Sequence, residues 1–245
     1  MSADTNVENV SSNHHLKALV LTALPAVMIG LCILSLGFVV HKNGMNLFEL
    51  TGSIYDRYYP LILVSYIIIL PAFLPFAVKL FRHNRISLLE KLTSKDTFAK
   101  DAVWGIAAGI SSYAFFFVDV HVMLKMPVEK AGPGSLILLE ILSIVIISGI
   151  LKEIYFRGIP YYIMKGRYGE WKAFLFGNIC YTVLDWPNFG LSFFLGLIWY
   201  LFFRKRGSLI IPIIGHGLFN LLGVLARAGA LSFIGIVPVQ ESIPL

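Results

Sequence analysis

Seven apolar blocks, residues 18–40, 60–81, 102–124, 135–151, 173–184, 189–203 and 207–226, leave few folds open to this chain. A run of about 18 or more such residues reads as a helix crossing a membrane, and the shorter blocks reach that length with their flanks. Charge is scarce enough to agree. Charged residues make up 14 % and hydrophobic residues 57 %, with a mean hydropathy of +0.77, whereas globular domains run near 25 % charged. The expectation is an all-α, polytopic transmembrane bundle of about seven spans. An eighth arises if "SFIGIVPV" near 232–239 re-enters the interface. Short connections and the lack of repeats or low-complexity tracts make residues 18–245 one membrane-embedded domain, behind a polar tail over 1–17.

Charge at the block ends sets an expected orientation. Net charge is +6, and a basic balance can signal nucleic acid, but here the cations gather between spans, so topology is the better reading. With the N-terminus inside and the spans alternating, twelve Lys and Arg fall in inner segments, among them Arg204, Lys205 and Arg206. Five fall outside: Lys42, Arg57, Lys125, Lys130 and Arg227. The tail is therefore read as cytoplasmic, and "YDRYYP" at 55–60 as an interfacial aromatic belt. The first block is long and lacks a small-residue cleavage site, so it is read as retained. Cys32 and Cys180 lie far apart inside apolar blocks and read as small hydrophobes. Glu140, Asp119 and His121 read as interfacial, and "AGPGS" at 131–135 as a turn. Pro25, Pro71, Pro75, Pro160 and Pro212 read as kinks.

Some charges fit no loop. In "GILKEIYFRGIPYYI", Lys152, Glu153 and Arg157 fall within six positions of an apolar run that reads on as helix to "KGRYGEWK". Lys152 then lies roughly 20 Å of helix from Lys165, at about 1.5 Å per residue. The same gauge puts Asp185 roughly 20 Å beyond Lys172, and His216 about 15 Å past Arg206. Asn220 shares the helix face of His216, four residues on, and Glu153 shares that of Arg157. An ionisable group in lipid costs about 2.5–3.5 kcal/mol on insertion scales, so such groups face inward and pair. One polar site inside the bundle, where the fourth, fifth and seventh blocks meet, is the expectation. A purely structural brace of Lys152, Glu153, Arg157 and Asp185 is the competing one.

"KEIYFRG", "YTVLD" and "HGLFN" together resemble the three motifs of the CPBP family over roughly residues 100–225. That family includes type II CAAX prenyl endopeptidases, bacteriocin-processing or immunity (Abi) proteins and lysostaphin-resistance-type proteins. Its pattern is two adjacent glutamates with Arg after three further residues, an aromatic with His four later, and His with Asn four later. Glu153, Arg157, Tyr181, His216 and Asn220 match. Lys152 stands at the first glutamate and Asp185 at the first histidine. The resemblance implies an intramembrane glutamate-type endopeptidase in a bacterial plasma membrane. The first glutamate and the histidines would activate a water, and Asn220 with a histidine would stabilise the oxyanion.

Peptide hydrolysis needs a base within reach of a water and a donor for the developing oxyanion. Lys152 as an ammonium is no base, and a Lys152–Asp185 pair would occupy the place of the catalytic water. Alternatively Glu153 is the base, with Asp185 orienting His216, or a neutral Lys152 is. One His with two carboxylates is a conceivable ligand set, but the adjacent Lys152 opposes a divalent cation, so no metal and no cofactor are expected. Three function classes follow: a CPBP-type endopeptidase with a reworked site; a catalytically silent relative that binds a membrane or envelope partner in regulation or self-immunity; and a small transporter. The last lacks the repeats and paired broken helices of its class. Expected partners are membrane lipid and a peptide or membrane protein, with no nucleic acid.

Overall fold

The computed structural model describes residues 4–41, 47–93, 97–119, 136–185 and 190–228, with side chains throughout these except at 4–13, 36–41, 47–58 and 93. Among the described residues all regular structure is helical: α1 (Asp4–His41), α2 (Leu47–His83), α3 (Leu88–Thr93), α4 (Phe98–Phe117), α5 (137–168), α6 (Glu170–Leu184), α7 (Leu191–Arg206) and α8 (Ile210–Arg227). Within the described residues, each apolar block lies in a helix. The segments His14–Ser35, Tyr59–His83 and Ile210–Arg227 are long and apolar enough to cross a membrane, and Leu191–Arg204 is a shorter apolar helix. The rest are shorter or carry charge. Helix α1 reaches back to Asp4, into the polar stretch expected to be tail. The stretches 131–135 and 232–239 and His121 lie outside the described residues.

Helix α5 runs through the charged stretch without interruption and ends before Gly169. Its turns are not uniform. Wide π turns, in which an N–H bonds five residues back, cover Ile141–Ser148, Ile154–Gly158 and Pro160–Met164. The short ordinary turn between the first two, Gly149–Glu153, carries Lys152 and Glu153. Wide turns are rare inside helices and concentrate where a site needs a side chain re-aimed. Pro160 has no N–H to give the Phe156 carbonyl, yet the helix continues, because membrane helices accommodate proline by local adjustment and neighbouring cover. Here the cover is α6. A Cβ on Gly177 would lie 2.2 Å from Phe156 O and 2.8 Å from Pro160 Cγ, so the two backbones approach this closely only at a residue without a side chain. The other expected kink sites also lie inside helices: Pro25 in α1, Pro71 and Pro75 in α2. Pro212 sits in the first turn of α8, where no N–H is needed.

Polar contacts tie the helix ends into two rims. At one, the N-terminal part of α1 meets the end of α2 through His14 and His83, ring centroids 4.0 Å apart. There too Arg206 at the end of α7 bonds Asp101 in the first turn of α4, and Glu170 at the head of α6 takes Lys165 of α5 at 3.2 Å and Arg204 of α7 at 2.9 Å. At the other rim Arg227, ending α8, reaches Glu140 of α5 at 3.2 Å and Tyr59 of α2 at 3.4 Å. Glu140 thus stands at a helix end on the rim, yet it is shielded from water. It is 6 % exposed, because Arg227 covers and neutralises it. Asp119 is half-buried.

Candidate functional site

Helix α5 brings Glu153 and Arg157 to one face, a turn apart. Arg157 Nη1 donates to Glu153 Oε1 at 2.7 Å, and the same oxygen lies 2.6 Å from His216 Nδ1 on α8. All three residues are buried. With Glu153 ionised, the network assigns the proton of the contact to His216 Nδ1, which leaves Nε2 as the acceptor. Rings enclose the cluster. Trp199 of α7 stacks on His216, with centroids 4.4 Å apart and planes at 17°. Tyr181 of α6 meets the imidazole edge-on at 5.8 Å. The Arg157 guanidinium lies 4.5 Å from the Tyr181 ring centre and 5.2 Å from that of Trp199. Away from water one carboxylate with one guanidinium is a compensated charge, and the π faces favour the cation further.

Lys152 precedes Glu153 and so leaves the helix about 100° away from it. Its ammonium sits 4.4 Å over the Tyr66 ring of α2 and 5.6 Å from Tyr181. It interacts electrostatically with Asp185 and Glu153. Asp185 follows the last turn of α6 and accepts a hydrogen bond from Ser192 Oγ of α7. Asn220 does not join the cluster: its Nδ2 donates to Ile144 O of α5 at 2.8 Å, bracing α8 against the first π segment. The six sequence-derived residues thus fall into three groups. Glu153, Arg157 and His216 are bonded together; Lys152 and Asp185 lie alongside, linked by charge; and Asn220 serves a backbone carbonyl. Among the described residues no three His, Cys, Asp or Glu side chains gather as a metal site.

Four participants escaped sequence reasoning. Trp199 and Tyr66 are aromatic residues in apolar blocks, and nothing local separates them from lipid-facing neighbours. Ser192 lies at the start of α7, where a hydroxyl is ordinary. Asn178 is a true omission. It is an amide deep inside an apolar block, and the depth gauge applied to Asp185 would have found it. It is buried in α6, and its Nδ2 donates to Phe193 O of α7 at 3.0 Å.

A membrane-crossing helical bundle that buries a Glu–Arg–His cluster between α5 and α8, under rings from α6 and α7, is an integral membrane protein with an ionisable interior site. Residues 134–222 match the family model described as Rce1-like, type II CAAX prenyl endopeptidase Rce1-like. Over that segment the chain is similar to CAAX-protease-like proteins, which supports the CPBP resemblance carried by the three motifs, and the segment contains every member of the cluster. No curated protein and no solved structure matches the chain.

Proposed function

We propose that the chain is a CPBP-type intramembrane endopeptidase-like protein with a reworked site, acting on lipid-proximal or prenylated peptides. One observation carries the reading: Glu153 Oε1 holds His216 Nδ1 at 2.6 Å. A histidine so held offers Nε2 as a base, and the carboxylate stabilises the imidazolium that forms. A water at Nε2 gives that nitrogen a proton while its oxygen adds to the peptide carbonyl. The proton then passes to the departing amine as the C–N bond breaks, and one water is consumed per bond cleaved. Arg157 Nη1 donates to the same Glu153 oxygen and holds the carboxyl in place. Lys152, at the family's first-glutamate position, is a donor rather than a base, suited to a developing oxyanion. An apolar groove of about 300 Å³ between α6 and α7, lined by residues such as Ile179, Val183 and Phe194, supports a substrate that carries a lipid chain.

The silent reading has its own observation. Asn220, the family's oxyanion donor, is occupied by Ile144 O, and Lys152 replaces the usual base, so the fold would serve a membrane or envelope partner in regulation or self-immunity. Cleavage of a prenylated peptide by purified protein in lipid vesicles separates the two. The endopeptidase reading expects turnover by the parent, with Glu153→Gln and His216→Ala each lowering it about 10²–10⁴-fold, the usual weight of a general base. An inert parent that gains turnover in Lys152→Glu/Asp185→His would establish the silent reading instead.

A further inference from the structure

Glu153 is held by Arg157, so the next question is what holds Arg157. Its Nη1 is committed to Glu153, but Nε and Nη2 are buried with no hydrogen-bond partner among the described residues, and the same is true of Asn178 Oδ1. A buried guanidinium with idle donors and a buried amide with an idle acceptor are each costly, because each has given up water without gaining a partner. The two lie together. A Cβ placed on Gly196 of α7 would be 1.9 Å from Asn178 Oδ1 and 2.7 Å from Arg157 Nη2. The amide oxygen and the guanidinium nitrogen therefore flank one point, which stays open to them because residue 196 has no side chain. The amide orientation is determined on its other side. Nδ2 must be the atom facing Phe193 O, since only it can donate, which turns the acceptor toward Arg157.

We propose that Asn178 is a positioning residue of the site: its Oδ1, brought beside Arg157 Nη2 but not in hydrogen-bond geometry with it, accepts from the idle Nη2 after a small side-chain shift or through one water, and so locks the guanidinium with Nη1 on Glu153 and Glu153 on His216. The chain of contacts then runs from the α7 backbone at Phe193 through Asn178, Arg157 and Glu153 to His216, which Trp199 of the same α7 covers from the other face. Gly196 is the permissive element. A methyl there would displace both the amide and the guanidinium. This inference rests on the Glu153–His216 contact of the preceding section but does not require that the protein cleave peptides.

The test reads the tautomer of His216, which needs no substrate. Full-length protein labelled with ¹⁵N-histidine in lipid bilayers is compared by solid-state NMR at neutral pH, with the His216 signals assigned by their loss in His216→Gln. The parent should show one tautomer, protonated at Nδ1. Asn178→Leu should lose that single signal and show both tautomers, and Asn178→Ala provides the same comparison if the leucine variant does not fold. Asn178→Asp should keep the single signal, since it retains an acceptor for Arg157 although it gives up the bond to Phe193 O. A merely structural amide predicts the reverse, with aspartate as damaging as leucine, and that outcome overturns the proposal. So does a single tautomer surviving in Asn178→Leu and Asn178→Ala. A parent that already shows mixed tautomers overturns the Glu153–His216 contact, and the role of Asn178 with it.

Discussion

Glu153 is 0 % exposed and accepts through one oxygen from both Arg157 and His216. Removing a partner from such a pair costs far more than the pair contributes, because the remaining charge stays buried. Arg157→Met should therefore lower unfolding stability in mild detergent by about 3–5 kcal/mol, whereas Arg157→Met with Glu153→Leu should recover most of that loss. An equal loss in the double variant would show that Arg157 is held for packing alone. Lys152 and Asp185 call for a different measurement, since their link is through charge while each also has another partner, Tyr66 and Ser192. The single and double alanine variants should couple by about 0.5–3 kcal/mol, as for groups in one network; additive effects would mean that the two charges are independent.

Among the elements, α5 decides most. It brings the KE pair inward on one ordinary turn between two wide ones, and α6 rests on it where Pro160 has freed a carbonyl. Gly177→Ala drives a methyl into Phe156 O and should destabilise by about 1–3 kcal/mol, the usual cost of overpacking, or more where backbone must move. A neutral outcome in chemical unfolding would show that the helices separate easily there. The ends of α5, α6 and α7 meet at Glu170. Its carboxyl is held below the usual glutamate range, first by the hydrogen bond from Tyr200 Oη, then by Lys165 and Arg204. A lowered folded value stabilises the fold above the unfolded value, about 4.3 for glutamate, and the benefit drains away as pH falls through the folded one. The group is partly exposed, so the effect is small, about 0.2–1 kcal/mol. The melting temperature of the parent should exceed that of Glu170→Gln at pH 6–7 and converge with it in acid; a gap that widened in acid would reverse the sign.

At the scale of the molecule, the two rims decide which helix ends share a face. The N-terminal part of α1 and the starts of α4 and α6 lie with the ends of α2, α5 and α7, a pattern that alternation through a membrane demands. The basic residues Lys165, Arg204 and Arg206 all stand on that rim, and the positive-inside rule would make it the inner one, an expectation that labelling tests. With Cys32 and Cys180 first replaced by alanine, Lys91→Cys should react with an impermeant thiol reagent only after permeabilisation, and Ala228→Cys should react on intact cells. The opposite pattern would invert the protein without altering the fold.

Much of this was legible in the residue order, and the reasons are physical. A helix in lipid must be apolar over its length, so the blocks announced themselves, and an ionisable group at that depth must face protein, so Lys152, Glu153, Asp185 and His216 stood out from one dimension of data. The i to i+4 spacing of Glu153 and Arg157 likewise foretold a bond that local geometry makes. Depth along a helix carries no azimuth beyond its own turn, however. It could not say that His216 would meet Glu153 and not Asp185, that Asn220 would turn to a backbone carbonyl, or that Trp199 and Asn178 would close the site from α7 and α6. Those contacts come from how far the helices approach, and that distance depends on Gly177, Gly196 and the wide turns of α5. The sequence alone determined a helical membrane protein with buried charge at one level; only packing between helices decided which charges met, because a residue's partner in a bundle is set by the rotation and spacing of a neighbour far away in the chain.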